Sequence, residues 1–138
     1  MSNHERQSVG SGTTWEEKYG YSRAVRVSDH IFVSGTTATG PDGLVAPGDP
    51  AGQARYALDK IEKAIRSLGG TLADVVRTRI FIARMEDWEK VAQVHGERFG
   101  KIRPANTLVR ADLVGSEFLV EIEAEAVVGS AAPGNASE

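Results

Sequence analysis

The sequence predicts an α/β fold in which two helices cover one face of a single sheet. Two stretches carry apolar residues at the helical spacing, and several others alternate apolar and polar residues as strands do. Along the chain the predicted order is strand, strand, helix, strand, helix, strand, strand, which is typical of one α/β layer. A length of 138 residues suits one domain with one core.

The first predicted helix has a clear start, apolar face and end. Asp49 can accept a hydrogen bond at the N-cap, and Pro50 suits the first helical position because its missing N–H needs no partner there. The residues that share the apolar stripe are Ala54, Ala57, Leu58, Ile61, Ile65 and Leu68. Gly69 and Gly70 then favour a helix end.

The second predicted helix begins after Asp87 and ends at Gly100, and Pro104 prevents any continuation. Its predicted apolar face consists of Trp88, Val91, Ala92, His95 and Phe99. With both helices on one side of the sheet, the other side is predicted to be uncovered in a single chain, which favours self-association.

Turn and tail signals set the boundaries of the predicted domain. Strands at 24–27 and 31–34 flank a short hairpin turn, and Gly40-Pro41-Asp42-Gly43 predicts a second turn. Residues 1–14 and 130–138 are polar and rich in glycine, serine or alanine, and we expect both to be flexible tails. The domain is therefore predicted to span residues 15–129.

The last predicted strand carries an unusual row of carboxylates. Because side chains alternate along a strand, Glu121, Glu123 and Glu125 share the face opposite the apolar residues. Arg77 and Arg79 share one face of the strand at 75–82 in the same way. The glutamates can be a solvated edge, partners of these arginines across the sheet, or part of a functional site.

Composition excludes several classes of function. The net charge is −3 and the pI about 5.6, so a general affinity for nucleic acid is not expected. The chain has no cysteine, and its three histidines lack metal-ligand spacing, so we predict no metal site. It also lacks a signal-peptide pattern and any apolar run long enough for a membrane span, which predicts a cytoplasmic protein.

Four segments together resemble the Rid family of RidA/YjgF-like proteins, formerly called endoribonuclease L-PSP-like. The resemblance covers about residues 19–128, with the segments in order and at the expected spacing. The segments are Tyr19-Gly20-Tyr21-Ser22-Arg23-Ala24, Ile31-Phe32-Val33-Ser34-Gly35-Thr36, Arg103-Pro104-Ala105 and Leu119-Val120-Glu121-Ile122-Glu123-Ala124.

This resemblance implies a chorismate-mutase-like α/β fold assembled as a homotrimer around a central barrel, with three small-molecule clefts between subunits. The best-known members hydrolyse reactive enamines and imines formed from amino acids, releasing ammonia and a 2-keto acid, without a metal or organic cofactor. The partners implied are further copies of the chain and a small metabolite. Nuclease or translation-inhibiting activity has been attached to some relatives, but the acidic balance of this chain argues against it.

The resemblance also assigns candidate site residues. Glu121 matches the carboxylate that handles the hydrolytic water, Tyr21 matches an aromatic pocket residue, and Ser34 and Gly35 match residues that line the cleft. Asn106 occupies the position of the usual arginine, which is thought to grip the substrate carboxylate by two hydrogen bonds. A planar guanidinium suits that task and an amide does not.

Two hypotheses follow. In the first, the protein is an enzyme acting on an imine, enamine or related reactive metabolite, with Asn106 bonding a neutral group and Arg23 or Arg110 supplying the missing cation. Hydrolysis of simple 2-imino acids is not expected in this case. In the second, the protein is a trimeric metabolite-binding module without chemistry. Asn106 could also be only a turn or strand cap, since asparagine favours such positions.

Overall fold

The computed structural model describes residues 5–132 and contains one large sheet, one two-stranded ribbon and three α-helices. The strands are β1 (Arg6–Val9), β2 (Ala24–Val27), β3 (His30–Thr36), β4 (Thr39–Gly40), β5 (Gly43–Leu44), β6 (Val75–Ile82), β7 (Ala105–Arg110) and β8 (Val120–Val127). The helices are α1 (Thr14–Tyr19), α2 (Pro50–Ser67) and α3 (Trp88–Phe99). Short 3₁₀ turns at Leu72–Asp74 and Met85–Asp87 precede β6 and α3.

The large sheet has six strands in the order β1-β2-β3-β8-β6-β7. All neighbours are antiparallel except β6 and β7, which run parallel because α3 crosses over between them. The strand β8 therefore lies at the centre of the sheet, between β3 and β6. This confirms the predicted α/β fold of one main sheet with helices and puts the glutamate row in the middle of a face.

The helix α2 confirms the predicted start and apolar face. The Asp49 side chain accepts a hydrogen bond from the backbone N–H of Gly52 at 3.0 Å, and Pro50 occupies the first turn. All six residues of the predicted stripe are buried. The buried amide of Gln53 adds a contact absent from the prediction: its Oε1 accepts the Leu119 N–H at 2.9 Å, which ties α2 to the start of β8.

The helix α3 also has the predicted bounds, but one part of its predicted face is wrong. Val91 and Phe99 are buried, whereas Trp88 remains 47% exposed. Val94 is buried in the core instead. Trp88 is the first residue of the helix and directly follows the turn that begins it, so it lies beyond the area of sheet that α3 covers.

The expectation of a flexible segment through Thr14 is wrong for part of that segment. Arg6–Val9 forms the edge strand β1, paired antiparallel with β2, and Thr14 begins α1. The strand is difficult to detect because most of its side chains are exposed and polar, so it is held by backbone hydrogen bonds rather than by apolar contacts. The domain therefore starts well before residue 15.

At the other end, the predicted tail from residue 130 is anchored at its first residue. The Ser130 hydroxyl donates to the carbonyl oxygen of Asp74 at 3.3 Å, and the Ser130 N–H donates to the Val127 carbonyl at 3.0 Å. The remainder of both predicted tails, residues 1–4 and 133–138, lies outside the described residues. Within residues 5–132, none of the helices combines the length and apolar character that crossing a bilayer requires.

Candidate functional site

The carboxylate of Glu121 lies against a bulge in the neighbouring strand β3. Val33 pairs with Ala124 and Thr36 pairs with Ile122, so Ser34 and Gly35 together face a single residue of β8. An extra residue in one strand bends it locally and redirects its side chains. A Cβ atom on Gly35 would lie 3.0 Å from Cδ of Glu121 and closer still to Oε2. Glycine at position 35 therefore leaves the space that the carboxylate occupies.

The glutamate row is mostly neutralised by the arginines of β6, but Glu121 is not. Nη1 of Arg79 lies 3.1 Å from Oε1 of Glu123 and 3.7 Å from Oε1 of Glu125. Nε of Arg77 lies 3.6 Å from Oε2 of Glu125. The residue that pairs with Glu121 across the sheet is Phe81. Among the described residues, Glu121 has no ion pair and no side-chain hydrogen bond. It is therefore the one glutamate of the row that cannot be explained as a partner of these arginines.

The surroundings of Glu121 raise the pKa of its carboxyl group. Burial raises the pKa of the Glu121 carboxyl above its ordinary value, the nearby charge of Glu123 acts in the same direction, and the positive charge of Arg23 opposes both. A carboxylate with a raised pKa is a stronger base than an exposed glutamate. General acid-base catalysis near neutral pH requires this property.

Tyr21 and Arg23 are held beside the bulge by Ser34. The Ser34 hydroxyl donates to the Ser22 carbonyl at 2.7 Å, and the Ser34 N–H donates to the Arg23 carbonyl at 3.0 Å. The guanidinium carbon of Arg23 lies 5.9 Å from the centre of the Tyr21 ring, which is 42% exposed. Since the Ser34 hydrogen is already donated, its oxygen offers a ligand only acceptor positions.

The structure thus brings five of the seven predicted site residues into one region: Glu121, Gly35, Ser34, Tyr21 and Arg23. They lie just before the start of β2, at the bulge of β3 and in the first part of β8.

Asn106 and Arg110 lie on the opposite face of the sheet. Asn106 pairs with Thr78 in the parallel register, and its Nδ2 donates to the Thr78 hydroxyl oxygen at 2.9 Å. Thr78 is fully buried and contacts His95 of α3, with 2.8 Å between its hydroxyl and Nε2. Arg110 pairs with the buried Ile82, which places it on the same helix-covered side. A single chain therefore does not present Asn106 or Arg110 to the ligand that Glu121 would contact.

His95 gives this second cluster a pH dependence. Burial lowers the pKa of His95 below its ordinary value, so the unfolded chain takes up a proton before the folded chain does. Stability contributed by the neutral ring is then present above a pH of about 6.5 and is lost as the pH falls through the lower folded value. We expect the free energy of unfolding of the wild type, relative to His95→Gln, to decrease between pH 7 and pH 5 in urea titrations.

Two apolar residues next to Glu121 were not predicted as site residues. Phe81 pairs with Glu121 on one side and with Val109 on the other, so all three share the uncovered face in one row. Val109 is 41% exposed and Phe81 is partly buried. The alternation that places Arg77 and Arg79 on this face also places Phe81 there, so the sequence alone is enough to predict Phe81 beside the glutamate row. The row gives the carboxylate an apolar side wall.

The importance of the Gly35 contact can be tested directly. Gly35→Ala should force the Glu121 carboxylate out of its position, and displacement of a reacting group by about 1 Å can cost about 10²-fold in rate. Stability should change by less than about 1 kcal/mol, because the atoms that must move end a flexible side chain. The measurements are the rate of imine hydrolysis that the family resemblance implies and the thermal unfolding of the same preparations.

The matched control is Gly96→Ala in α3, where an added Cβ meets nothing within 4 Å. It should leave turnover unchanged and stabilise the helix by about 0.5–1 kcal/mol. Equal activity in Gly35→Ala and wild type would show that the position of the Glu121 carboxylate does not matter.

Within the described part of the chain, no group of three histidine, aspartate or glutamate side chains is arranged to hold a metal ion.

The fold and the site together define an α/β domain with a bulged strand against a partly buried glutamate, and comparison with known proteins assigns the family. The chain belongs to the endoribonuclease L-PSP family, the RidA/YjgF family, whose profile matches residues 14–128. A Streptomyces coelicolor protein described as uncharacterized is 39% identical over 123 residues, which is 88% of this chain and 92% of the relative.

Two further comparisons agree. A RutC family protein of Pyrococcus horikoshii is 31% identical over 105 residues, covering 75% of this chain and 83% of that protein. A crystal structure of a YjgF/YER057c/UK114 family member from Mycobacterium tuberculosis superposes with a TM-score of 0.82 at 46% identity, over 90% of this chain and 100% of that one. The family and fold implied by the sequence resemblance are confirmed.

Proposed function

We propose that this protein hydrolyses the C=N bond of an imine, or of an enamine through its imine form, with Glu121 as the general base. The observation that carries this proposal is the unpaired, partly buried Glu121 carboxylate, whose pKa is raised by burial and whose position depends on the absence of a side chain at Gly35. The neighbouring glutamates are paired with arginines and are assigned no part in the chemistry.

The reaction needs only water and one group that can take up and return a proton. Glu121 removes a proton from water as the oxygen attacks the imine carbon, which gives a carbinolamine. The protonated Glu121 returns this proton to the nitrogen. It then takes the hydroxyl proton of the carbinolamine and passes it to the amine, which leaves as ammonia as the carbonyl forms. The balance is one imine and one water in, one carbonyl compound and one ammonia out. A raised pKa suits both directions of transfer.

The proposed site is a cleft between subunits of a homotrimer. Two observations support assembly: the face that carries Glu121 is uncovered in one chain, and Asn106 lies on the other face at the sheet edge β7. An interface between the edge of one subunit and the open face of the next would let one ligand contact both positions. We propose that the assembled protein acts in the cytoplasm.

Asn106 and Arg23 indicate the kind of substrate. An amide at position 106 can bond a neutral carbonyl or amide, and it cannot provide the two charge-assisted bonds that a carboxylate prefers. Arg23 lies near Tyr21 and influences the charge state of Glu121, so it is the cation available on the Glu121 side. The proposed substrate is therefore a reactive imine other than a simple 2-imino acid.

Keto-acid release from freshly generated 2-aminoacrylate, compared with ammonia release from an imine that lacks a carboxylate, tests this proposal. We expect greater acceleration of the second reaction than of the first. The second candidate is a metabolite-binding module without turnover, which the replacement of the usual arginine by Asn106 favours. Acceleration of neither reaction, together with saturable ligand binding, would support that candidate and contradict the proposal.

A further inference from the structure

A cavity whose wall does not include Glu121 lies beside the helix α2. Its volume is about 530 Å³, and it is enclosed by residues 9–13, the β4–β5 ribbon and the outer face of α2. This size is within the range of small-molecule sites. Of the seven site residues predicted from the sequence, only Arg23 contributes to its wall.

Arg23 is the most informative residue of this wall. It is only 7% exposed, and its buried Nε has no hydrogen-bond partner among residues 5–132. The nearest carboxylate, that of Glu16, is 3.7 Å from Nε, which is an ion-pair distance but too long for a hydrogen bond. Glu16 instead accepts from the N–H and the hydroxyl of Ser11 at 3.0 and 2.5 Å. Leaving a buried N–H of a charged group without a hydrogen bond is costly, so an acceptor in the cavity would be favourable.

Two lysines from α2 add positive charge to the same cavity. The Lys60 ammonium donates to the Thr39 carbonyl at 2.9 Å and to the Thr37 carbonyl at 3.4 Å. An ammonium has three hydrogens, so one remains for a ligand. Burial lowers the pKa of Lys60, and the charge of Arg23 acts in the same direction. Lys63 is exposed at the rim.

The rest of the wall is suited to an apolar group. Val9 and Ala64 face the cavity, and Tyr56 adds an aromatic ring whose hydroxyl lies against Gly40. A Cβ on Gly40 would be 2.9 Å from that hydroxyl oxygen, so the ribbon and the ring are in close contact. Among the described residues, no acidic side chain lines the cavity. Arg23 is ion-paired with Glu16 behind the wall, and the two lysines add further positive charge.

We propose that this cavity binds a small organic anion, with its phosphate or carboxylate group against Arg23 and Lys60 and its apolar body against Tyr56. The cavity shares Arg23 with the region around Glu121 but is not lined by Glu121, Ser34 or Gly35. Binding of an anion there does not depend on the reaction proposed at Glu121. Phosphate and carboxylate share the chemistry of an oxyanion, and the experiment distinguishes them.

The test is a titration of the full-length protein with phenyl phosphate, benzoate and inorganic phosphate, followed by ¹H–¹⁵N correlation spectra. We expect saturable shifts of residues 9–13 and of α2 with at least one organic anion, and weaker binding of inorganic phosphate. Lys60→Met should weaken that binding by about tenfold or more, since a charge-assisted hydrogen bond contributes about 1.5–3 kcal/mol. Lys90→Met, which removes the same charge from an exposed position in α3, should leave it unchanged.

Lys63→Met provides a second variant at an exposed position, and it should weaken binding severalfold even if Lys60→Met fails to fold. The proposal is overturned if neither organic anion gives saturable shifts. It is also overturned if both lysine variants bind as tightly as wild type, or if inorganic phosphate binds as tightly as phenyl phosphate. Tighter binding of phenyl phosphate than of benzoate identifies the head group as phosphate, and the reverse order identifies it as carboxylate.

Discussion

Glu121→Gln is expected to reduce imine hydrolysis by about 10²–10⁴-fold, the usual contribution of a general base. Glutamine has nearly the same shape, so the contact with Gly35 and the pairing with Phe81 are retained while the proton acceptor is lost. Ligand affinity should change little, because the carboxylate acts on water. The measurements are ammonia release at saturating substrate and, separately, the binding of a non-hydrolysable carbonyl product.

The matched control is Glu125→Gln, which changes a carboxylate on the same face of the same strand. Glu125 is paired with Arg77 and Arg79, so its loss should affect stability slightly and turnover hardly at all. If Glu121→Gln retained full turnover, Glu121 could not be the base. If neither variant nor wild type turned over any imine while all three bound the carbonyl product, the binding-module hypothesis would replace the enzymatic one.

Glu121→Gln is expected to lower activity without lowering the stability of the fold. Because the folded pKa of Glu121 is raised, the stability contributed by its neutral form is present below the unfolded pKa and is lost as pH rises through the folded pKa. Glu121→Gln should therefore be at least as stable as wild type at pH 8, with a difference that disappears below a pH of about 4. A variant that lost activity while gaining stability would indicate a residue retained for function.

Local patterns predicted most of the fold, because both long helices and the central strands present a regular apolar face to the core. The sequence also allows Arg79 to pair with Glu123 across the sheet, because both residues occupy the polar positions of alternating strands. The strand β1 could not be predicted in this way. Its order comes from backbone pairing with β2, which leaves no apolar pattern in the sequence.

The candidate site was harder to predict than the fold. Alternation places Glu121 on the uncovered face, but its contact with Gly35 depends on the bulge opposite β8. The position of Asn106 depends on the parallel register of β7 with β6, which local periodicity does not determine. A motif comparison therefore groups Asn106 with Glu121, whereas the register places their side chains on opposite faces of one chain.

Asn106→Arg is expected to increase the affinity for 2-imino acids and their 2-keto acid products by about tenfold or more. A guanidinium can form two charge-assisted bonds to a carboxylate, and such bonds contribute about 1.5–3 kcal/mol. The substitution should be tolerated, because Asn106 is exposed on an edge strand and Thr78 keeps its contact with His95. Keto-acid release from freshly generated 2-aminoacrylate and the affinity for the keto acid are the measurements.

The control for this gain is Asn106→Lys, which adds the same charge without the planar fork. It should improve carboxylate binding less than Asn106→Arg does, because an ammonium acts as a point charge. Equal gains in both variants would indicate simple attraction to a positive surface rather than a specific contact. Absence of any gain in either variant would mean that position 106 does not reach the Glu121 cleft of a neighbouring subunit, and the proposed arrangement of subunits would then be wrong. A gain for arginine alone would mean that the edge of one subunit completes the site on the open face of another.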